Sequence, residues 1–422
     1  MARSGQPESG SPIVLPGQRP SPGEVAADTL RAPIIVLSSR PSAAAPDRQG
    51  VPVLSPLDDY PVHQISEPMR FVGPSDRNFY DRYYFNILGA DGVSGTDEEL
   101  FAVIGFGQYP NLGVADAFVS VRTGDDHRVV RSSMVMGADR MNTTIGPIRV
   151  EVLEGLRRVR VILEPNEWGL EMDAVYDGFS EAHLEARHFN RQFSRVTFDT
   201  SRFAQLGSWT GSLSIGDKEV ALTPDRWWGC RDRSWGVRPV GEPEPPGIQA
   251  TNTAGGFFWI YAPVRFEDHA IVTIVQEEPN GRRVMQDAHR VFPVGSGREA
   301  EWLGRPEHEV RFVPGTRRVS GATLSYFGAH GRQTAKVDCE VTFPFALMMG
   351  TGYGLEPDWR HGMYQGDLVV QGQRYDPASP EYQPWGLMEN AARFTSNGEV
   401  GYGMLEFAVL GPHERYGFSG WD

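Results

Sequence analysis

The stretch Ile148-Arg-Val-Glu-Val-Leu-Glu-Gly-Leu-Arg-Arg-Val-Arg-Val-Ile-Leu163 decides the class of fold. Ile148, Val150 and Val152 alternate with other residues, and Val159, Val161 and Leu163 resume the pattern after Glu154-Gly155-Leu156-Arg157. Strand side chains point to opposite faces in turn, so period two on both sides of a short Gly-containing turn reads as a hairpin. Ile271-Val-Thr-Ile-Val275, then Pro279-Asn-Gly281, then Val284 onward reads as a second hairpin. Its Asn-Gly pair suits a tight turn that needs positive φ. Working outward, strands are expected over 101–106, 117–121, 257–264, 310–313, 322–327, 337–343, 368–370 and 404–409. Helical signals are scarce. Residues 180–193 have helical propensity, yet Ala182, Leu184 and Ala186 alternate as in a strand, so that segment stays open.

Many short strands punctuated by Gly and Pro mean a sandwich or barrel. About 360 residues of such texture exceed one small barrel and fit two. The Pro/Gly/acidic run Gly241-Glu-Pro-Glu-Pro-Pro-Gly247 divides them, giving one domain over 63–240 and another over 247–422. Residues 1–62 are Pro-, Ser- and Ala-rich, with one apolar island at Ile34-Ile-Val-Leu37. Pro removes donors and Ser and Gly add chain entropy, so this reads as a disordered tail.

The chain has 422 residues, 40% hydrophobic, with net charge −14. That composition supports a packed core, and the acidic balance argues against a general nucleic-acid binder. No run of about 18 apolar residues occurs, so no transmembrane helix is expected. The N-terminus lacks a basic-then-apolar secretory pattern, so the reading is cytoplasmic, with at most transient contact with a membrane surface. Two cysteines, Cys230 and Cys339, exclude a disulfide scaffold and a four-thiolate zinc site. There is no phosphate-cradling loop and no Gly-x-Ser-x-Gly elbow. His183 and His188 are five apart, which suits neither one helix face nor one strand face, and no metal site is expected.

One constellation stands out. Residues 227–239 read Trp-Trp-Gly-Cys-Arg-Asp-Arg-Ser-Trp-Gly-Val-Arg-Pro, with three Trp, three Arg and one Asp in thirteen positions. Asp232 lies between Arg231 and Arg233. Arginine neighbours stabilise its carboxylate, while burial against Trp raises its pKa, and a carboxyl so placed can act as a general acid. Trp227, Trp228 and Trp235 offer π faces to a hydrocarbon or a developing cation. The purely structural alternative is an Arg-Asp-Arg ladder that closes a barrel and satisfies buried carbonyls.

The string Gly229-Cys-Arg-Asp-Arg-Ser-Trp-Gly-Val-Arg-Pro239 resembles the hallmark of the AttH/CrtC-like superfamily. That group includes carotenoid 1,2-hydratase (hydroxyneurosporene synthase), kievitone hydratase and lipocalin-like Diels–Alderases. The resemblance continues through Ser201–Gly207, Gly362–Asp367, Glu389–Phe394 and Gly401–Glu406, and covers most of 65–422. It implies an all-β protein of two lipocalin-like antiparallel β-barrels packed together, an apolar pocket in or between them, and no cofactor. It does not fix the activity, since its members hydrate, cyclise, isomerise or carry lipids.

The functional expectation is a cofactor-independent hydratase/lyase or isomerase/cyclase acting on an apolar terpenoid, steroid-like or polyketide-like substrate. The alternative is a non-catalytic lipid or isoprenoid carrier. Asp232 is the expected acid, oriented by Arg231 and Arg233. His361 is a candidate proton relay, with a satisfied loop histidine as its alternative. Trp227, Trp228, Trp235, Tyr364, Trp385 and Tyr402 are the expected pocket walls. Glu389 and Glu406 lie in strand-like segments; each is either outward by alternation or inward and functional, and the outward or structurally paired reading is the one expected.

Overall fold

The hairpins assemble into two antiparallel sheets. The computed structural model describes residues 54–90, 99–242, 255–353, 356–379, 382 and 386–420. Among them there is no α-helix; short 3-10 turns occur at Pro56–Asp59, Ala329–Gly331 and Glu414–Tyr416. The first hairpin is Ile148–Glu154 with Arg158–Leu163, and the second is Ala270–Glu277 with Arg283–Val291. Gly281 in the second turn takes the left-handed φ of 78° that its sequence anticipates. The open segment at 180–193 forms two short strands, His183–Leu184 and His188–Gln192, both paired with the long strand Arg195–Ile215.

The first sheet runs Leu368–Tyr375, Asp126–Val135, Val114–Thr123, Phe101–Tyr109, Phe79–Gly89, Trp227–Val237, Arg195–Ile215, Leu170–Gly178, and then the first hairpin. It curls into a nearly closed barrel, and the second sheet forms a half-barrel. That second sheet runs Arg283–Val291, Ala270–Glu277, Phe257–Arg265, Glu399–Leu410, Met388–Ser396, Gln333–Ala346, Val319–Phe327 and Arg305–Phe312. One strand crosses over: Leu368–Tyr375, from the later half of the chain, pairs with Asp126–Val135 of the first sheet. The apolar island at 34–37 and linker residues 243–247 lie outside the described residues.

Three apolar layers hold this arrangement. One fills the first barrel around Phe85, Trp209 and Tyr176, and one fills the half-barrel around Phe258, Phe266 and Phe407. The third lies between the sheets, around Tyr84, Leu88, Trp259, Tyr261 and Phe345. Alternation distributes one strand over two layers. In Phe79–Gly89, Phe85 and Ile87 face the barrel interior, while Tyr84 and Leu88 face the second sheet. Burial on both faces also explains why Phe101–Tyr109 is buried throughout. Each fully buried Phe or Leu contributes about 1.5–3 kcal/mol, so the middle layer alone commits the two sheets to one another. No helix among the described residues is long and apolar enough to cross a membrane.

Candidate functional site

Register places the polar groups of the middle layer. In the first sheet, Phe118, Gly105, Tyr84, Asp232, Ala204 and His183 form one row across neighbouring strands. In the second, Phe345, Glu389, Glu406, Tyr261, Ile274 and Asp287 form another. Residues opposed across a ladder share a face, and the apolar members of both rows pack in the layer between the sheets. The two rows therefore look at each other. Between the sheets is a cavity of about 250 Å³. Tyr84, Phe257, Trp259 and Tyr353 give it aromatic walls; Arg82, Arg202 and Arg238 bring cations; Asp232, Glu185 and Glu406 bring carboxyls.

Glu389 and Glu406 are directly opposed on adjacent strands. Asn86 Nδ2 donates to the Tyr84 hydroxyl at 3.2 Å, and that hydroxyl donates to Glu389 Oε2 at 2.7 Å. Glu389 Oε1 is buried without a hydrogen-bond partner. Trp259 Nε1 donates to Glu406 Oε1. Burial, reinforced by the charge of Glu406, holds the Glu389 carboxyl well above the usual range. Burial also pushes Glu406 up to about 7, against the opposing pull of Arg202 and Trp259. Two carboxyls in one dry site cannot both ionise cheaply, so they share protons as a unit.

Asp232 faces them from the first sheet. Burial raises its pKa, while Arg202, Arg82 and Arg238 pull it down. Arg202 is tethered: it donates to Glu185 and stands 4.3 Å from the centre of the Tyr261 ring. Arg82 donates from Nη1 to the Tyr109 hydroxyl at 3.2 Å, but its Nε and Nη2 are buried without partners, as is Nε of Arg238. Unpartnered guanidinium nitrogens beside a cavity are donors available to an oxygen-bearing ligand.

Of the residues expected from the sequence, Asp232 lines the cavity. Its neighbours do not, because period two turns them to the other face. Arg231 donates to Gln205 at 2.8 Å and stands 5.6 Å from the Tyr176 ring centre, and Arg233 pairs with Asp81. The cations opposing Asp232 are led by Arg202, with Arg233 a lesser contributor, so the expectation that Arg231 and Arg233 orient it is corrected. Trp227 belongs to the first barrel's core by the same alternation. Trp235 and Tyr364 are exposed. Trp228 and Tyr402 border a separate narrow cleft with Arg265, whose guanidinium carbon lies 4.2 Å from the Trp228 ring centre. His361 is buried behind the wall, stacked 6.2 Å from Phe118 and within 2.8 Å of the Thr351 carbonyl. Burial and Arg82 hold its pKa well below 6.5, so it is neutral and serves as a packed loop residue. Trp385 lies outside the described residues.

Glu389 and Glu406 point inward, the alternative to the outward reading, and each has a side-chain hydrogen bond, from Tyr84 and Trp259 respectively. The signal was present in the apolar neighbours of Glu406, Leu405 and Phe407: they occupy the opposite face, which is the buried half-barrel interior. A strand buried on both faces has no outward side for a glutamate. Arg202 and Glu185 carried no local signal, because their meeting depends on the pairing of 183–184 with 203–204.

No curated protein matches this sequence. A solved structure from Nitrosomonas europaea, described as a candidate AttH, is similar at 13% identity and a TM-score of 0.48, covering 84% of this chain and 99% of that one. Residues 54–419 match the family described as a family of unknown function, DUF8625, and with both sheets and the cavity inside that span the chain belongs to this family.

Proposed function

We propose that the chain is a cofactor-independent acid–base enzyme of the hydratase/lyase or isomerase/cyclase class, working in the cavity between the sheets. The observation that carries this reading is the Glu389–Glu406 pair, with the Glu406 carboxyl at the cavity wall and its pKa pushed up to about 7. A group titrating near the working pH both gives and takes a proton efficiently, typically accelerating a reaction by about 10²–10⁴-fold.

In the hydratase form, Glu406 gives its proton to one alkene carbon. The faces of Trp259 and Tyr353 meet the cation that develops at the other carbon. Water adds there and loses its proton to the Asp232 carboxylate. In the isomerase form, the same pair removes a proton at one carbon and returns one at another. Glu389 sits behind Glu406 and keeps its proton available. Arg82 and Arg238 bind an oxygen of the substrate and fix its orientation.

The aromatic walls suit the apolar body of a terpenoid, steroid-like or polyketide-like molecule, and the guanidinium groups suit one oxygenated end. The cavity is below the ~300–1,000 Å³ of drug-sized pockets, which favours a compact member of these classes or the head of a longer one.

The test incubates the purified chain with unsaturated terpenoid alcohols, steroid enones and polyketide enones. Mass spectrometry then reads gain or loss of water, or altered retention at unchanged mass. Conversion that is lost in Glu406→Gln while binding persists supports the reading. Binding without conversion across the panel would contradict it and leave the carrier role.

A further inference from the structure

A second cluster lies in the wall of the middle layer, outside the acid–base group. His183 comes together with Asp287 and His289, which lie about a hundred residues further along the chain. Each presents a donor atom within 4.8 Å of those of the other two, and all three are half-buried. His183 sits on the short strand His183–Leu184 of the first sheet, and Asp287 and His289 sit on Arg283–Val291 of the second. The two imidazole centres are 4.4 Å apart. Nε2 of His183 is buried and has no hydrogen-bond partner. Nδ1 of His289 lies 3.0 Å from Asp287 Oδ1.

We infer that these three residues form a transition-metal site of the zinc class, which clips the 183–188 segment of the first sheet to the second. Two imidazoles and one carboxylate are a donor set that zinc and its neighbours accept. Ligands about 2.0–2.2 Å from one zinc ion must lie roughly 3–3.5 Å from each other; His289 Nδ1 and Asp287 Oδ1 stand 3.0 Å apart, and all three donor atoms lie within 4.8 Å, so binding draws His183 inward. The carboxylate is already aimed. Ala288 N donates to Asp287 Oδ1 at 2.9 Å, and Ala186 N donates to Oδ2 at 3.3 Å. Such backbone donors fix a ligand's orientation from outside the coordination sphere.

Placement gives the site its consequence. Glu185, Ala186 and His188 lie within five residues after His183 and line the cavity, as does Met285 on the opposing strand. The short strand pairs with Arg195–Ile215 at two positions, Phe203 with Leu184 and Ala204 with His183, and Glu185 N donates to the Arg202 carbonyl just beyond it. An ion held by ligands from both sheets would fix this part of the wall, and binding only to the docked arrangement stabilises it by mass action.

The experiment uses the untagged full chain, stripped with chelator and then titrated with Zn²⁺ and, separately, Co²⁺. We expect one equivalent of each, a visible cobalt spectrum of low-coordinate character, and a zinc-dependent rise in thermal midpoint. Hydrogen exchange at 183–188 should slow on zinc addition. His183→Ala and His289→Gln should each abolish the cobalt spectrum and the midpoint shift, with the stripped variants melting where the stripped wild type does. Glu399→Gln, in the separate Asp268–His269–Glu399 group, should change neither. Absence of stoichiometric binding to wild type overturns the proposal, and so does binding that survives both histidine variants. If one variant fails to fold, the other decides by the same readouts.

Discussion

Glu277 and Glu406 are carboxylates on strands of the same sheet, and their surroundings give them opposite ionisation. Glu277 has a donor for each oxygen: His308 Nε2 lies 2.9 Å from Oε1, His413 Nε2 lies 2.9 Å from Oε2, and Arg283 Nε adds 2.8 Å to Oε1. Burial pushes it up, but these donors together outweigh burial and hold it at about 2. Glu406 has Trp259 and the distant pull of Arg202 against the charges of Asp232 and Glu185, and burial leaves it at about 7. Burial is therefore not what marks a working acid. The number of donors aimed at the carboxylate decides whether it is an anchor or a proton carrier. Phe258 packs on both of the Glu277 histidines, at 4.8 and 4.5 Å, which closes that cluster to ligands.

Removing Glu277 should have the largest effect on stability. Glu277→Ala leaves two buried imidazoles without their acceptor and Arg283 with Glu307 alone, and breaking such a buried cluster costs about 3–5 kcal/mol. Urea denaturation should register that loss as a lower midpoint with unchanged slope. An undisturbed midpoint would erase the distinction between the two sites.

The pH dependence of stability should separate them next. A carboxyl held low adds stability above its unfolded pKa near 4.5, and that contribution is lost as pH falls toward 2. A carboxyl held high does the reverse: its contribution is present below 4.5 and is lost as pH rises through about 7. Wild type should thus lose roughly 1–3 kcal/mol through Glu406 between these two values. Glu406→Gln should reduce the slope of that part of the curve, to which the raised carboxyls of Glu185 and Asp116 also contribute, whereas Glu277→Gln should flatten only the acid limb.

Asp232→Asn should cost less, about 1–3 kcal/mol, because Arg202 keeps Glu185 as a partner. Binding of an anionic aromatic dye such as anilinonaphthalene sulfonate should persist or tighten, since one negative charge leaves a cavity that keeps its arginines. Weakened dye binding with full stability would place Asp232 on the ligand's side rather than opposite the arginines. The smallest effect belongs to Arg233→Gln. Its pair with Asp81 is partly exposed and worth at most about 1 kcal/mol, and dye affinity should not change. A change would mean that the two faces of Trp227–Val237 are coupled.

Much of the fold was legible because alternation is a local signal. Ile148–Leu163 and Ile271–Val291 declared themselves within single hairpins. The motif around Asp232 was legible as unusual composition, but its chemistry was read along the chain. In a strand, Arg231 and Arg233 are Asp232's neighbours in sequence and face away from it. Its partners are Arg82 and Arg202, the side-chain neighbours that two other strands bring to the same face. Glu406 was obscured for a related reason: the outward reading of a polar residue assumes one wet face, and Glu399–Leu410 is packed on both sides. The meeting of His183 with Asp287 and His289 depends on two sheets docking, which no local pattern encodes.

The central claim is that Glu406 holds a proton near neutral pH while Glu277 does not. Infrared spectroscopy of the protonated carboxyl stretch, titrated from about pH 5 to about pH 9 across that range of shifted values, reads it directly. Wild type and Glu277→Gln should show carboxyl absorbance from Glu406 and Glu185 that titrates near 7, and Glu406→Gln should lose the Glu406 share of its amplitude. A wild-type spectrum with no carboxyl titrating above about pH 5.5, or one whose titration survives Glu406→Gln unchanged, would contradict the account.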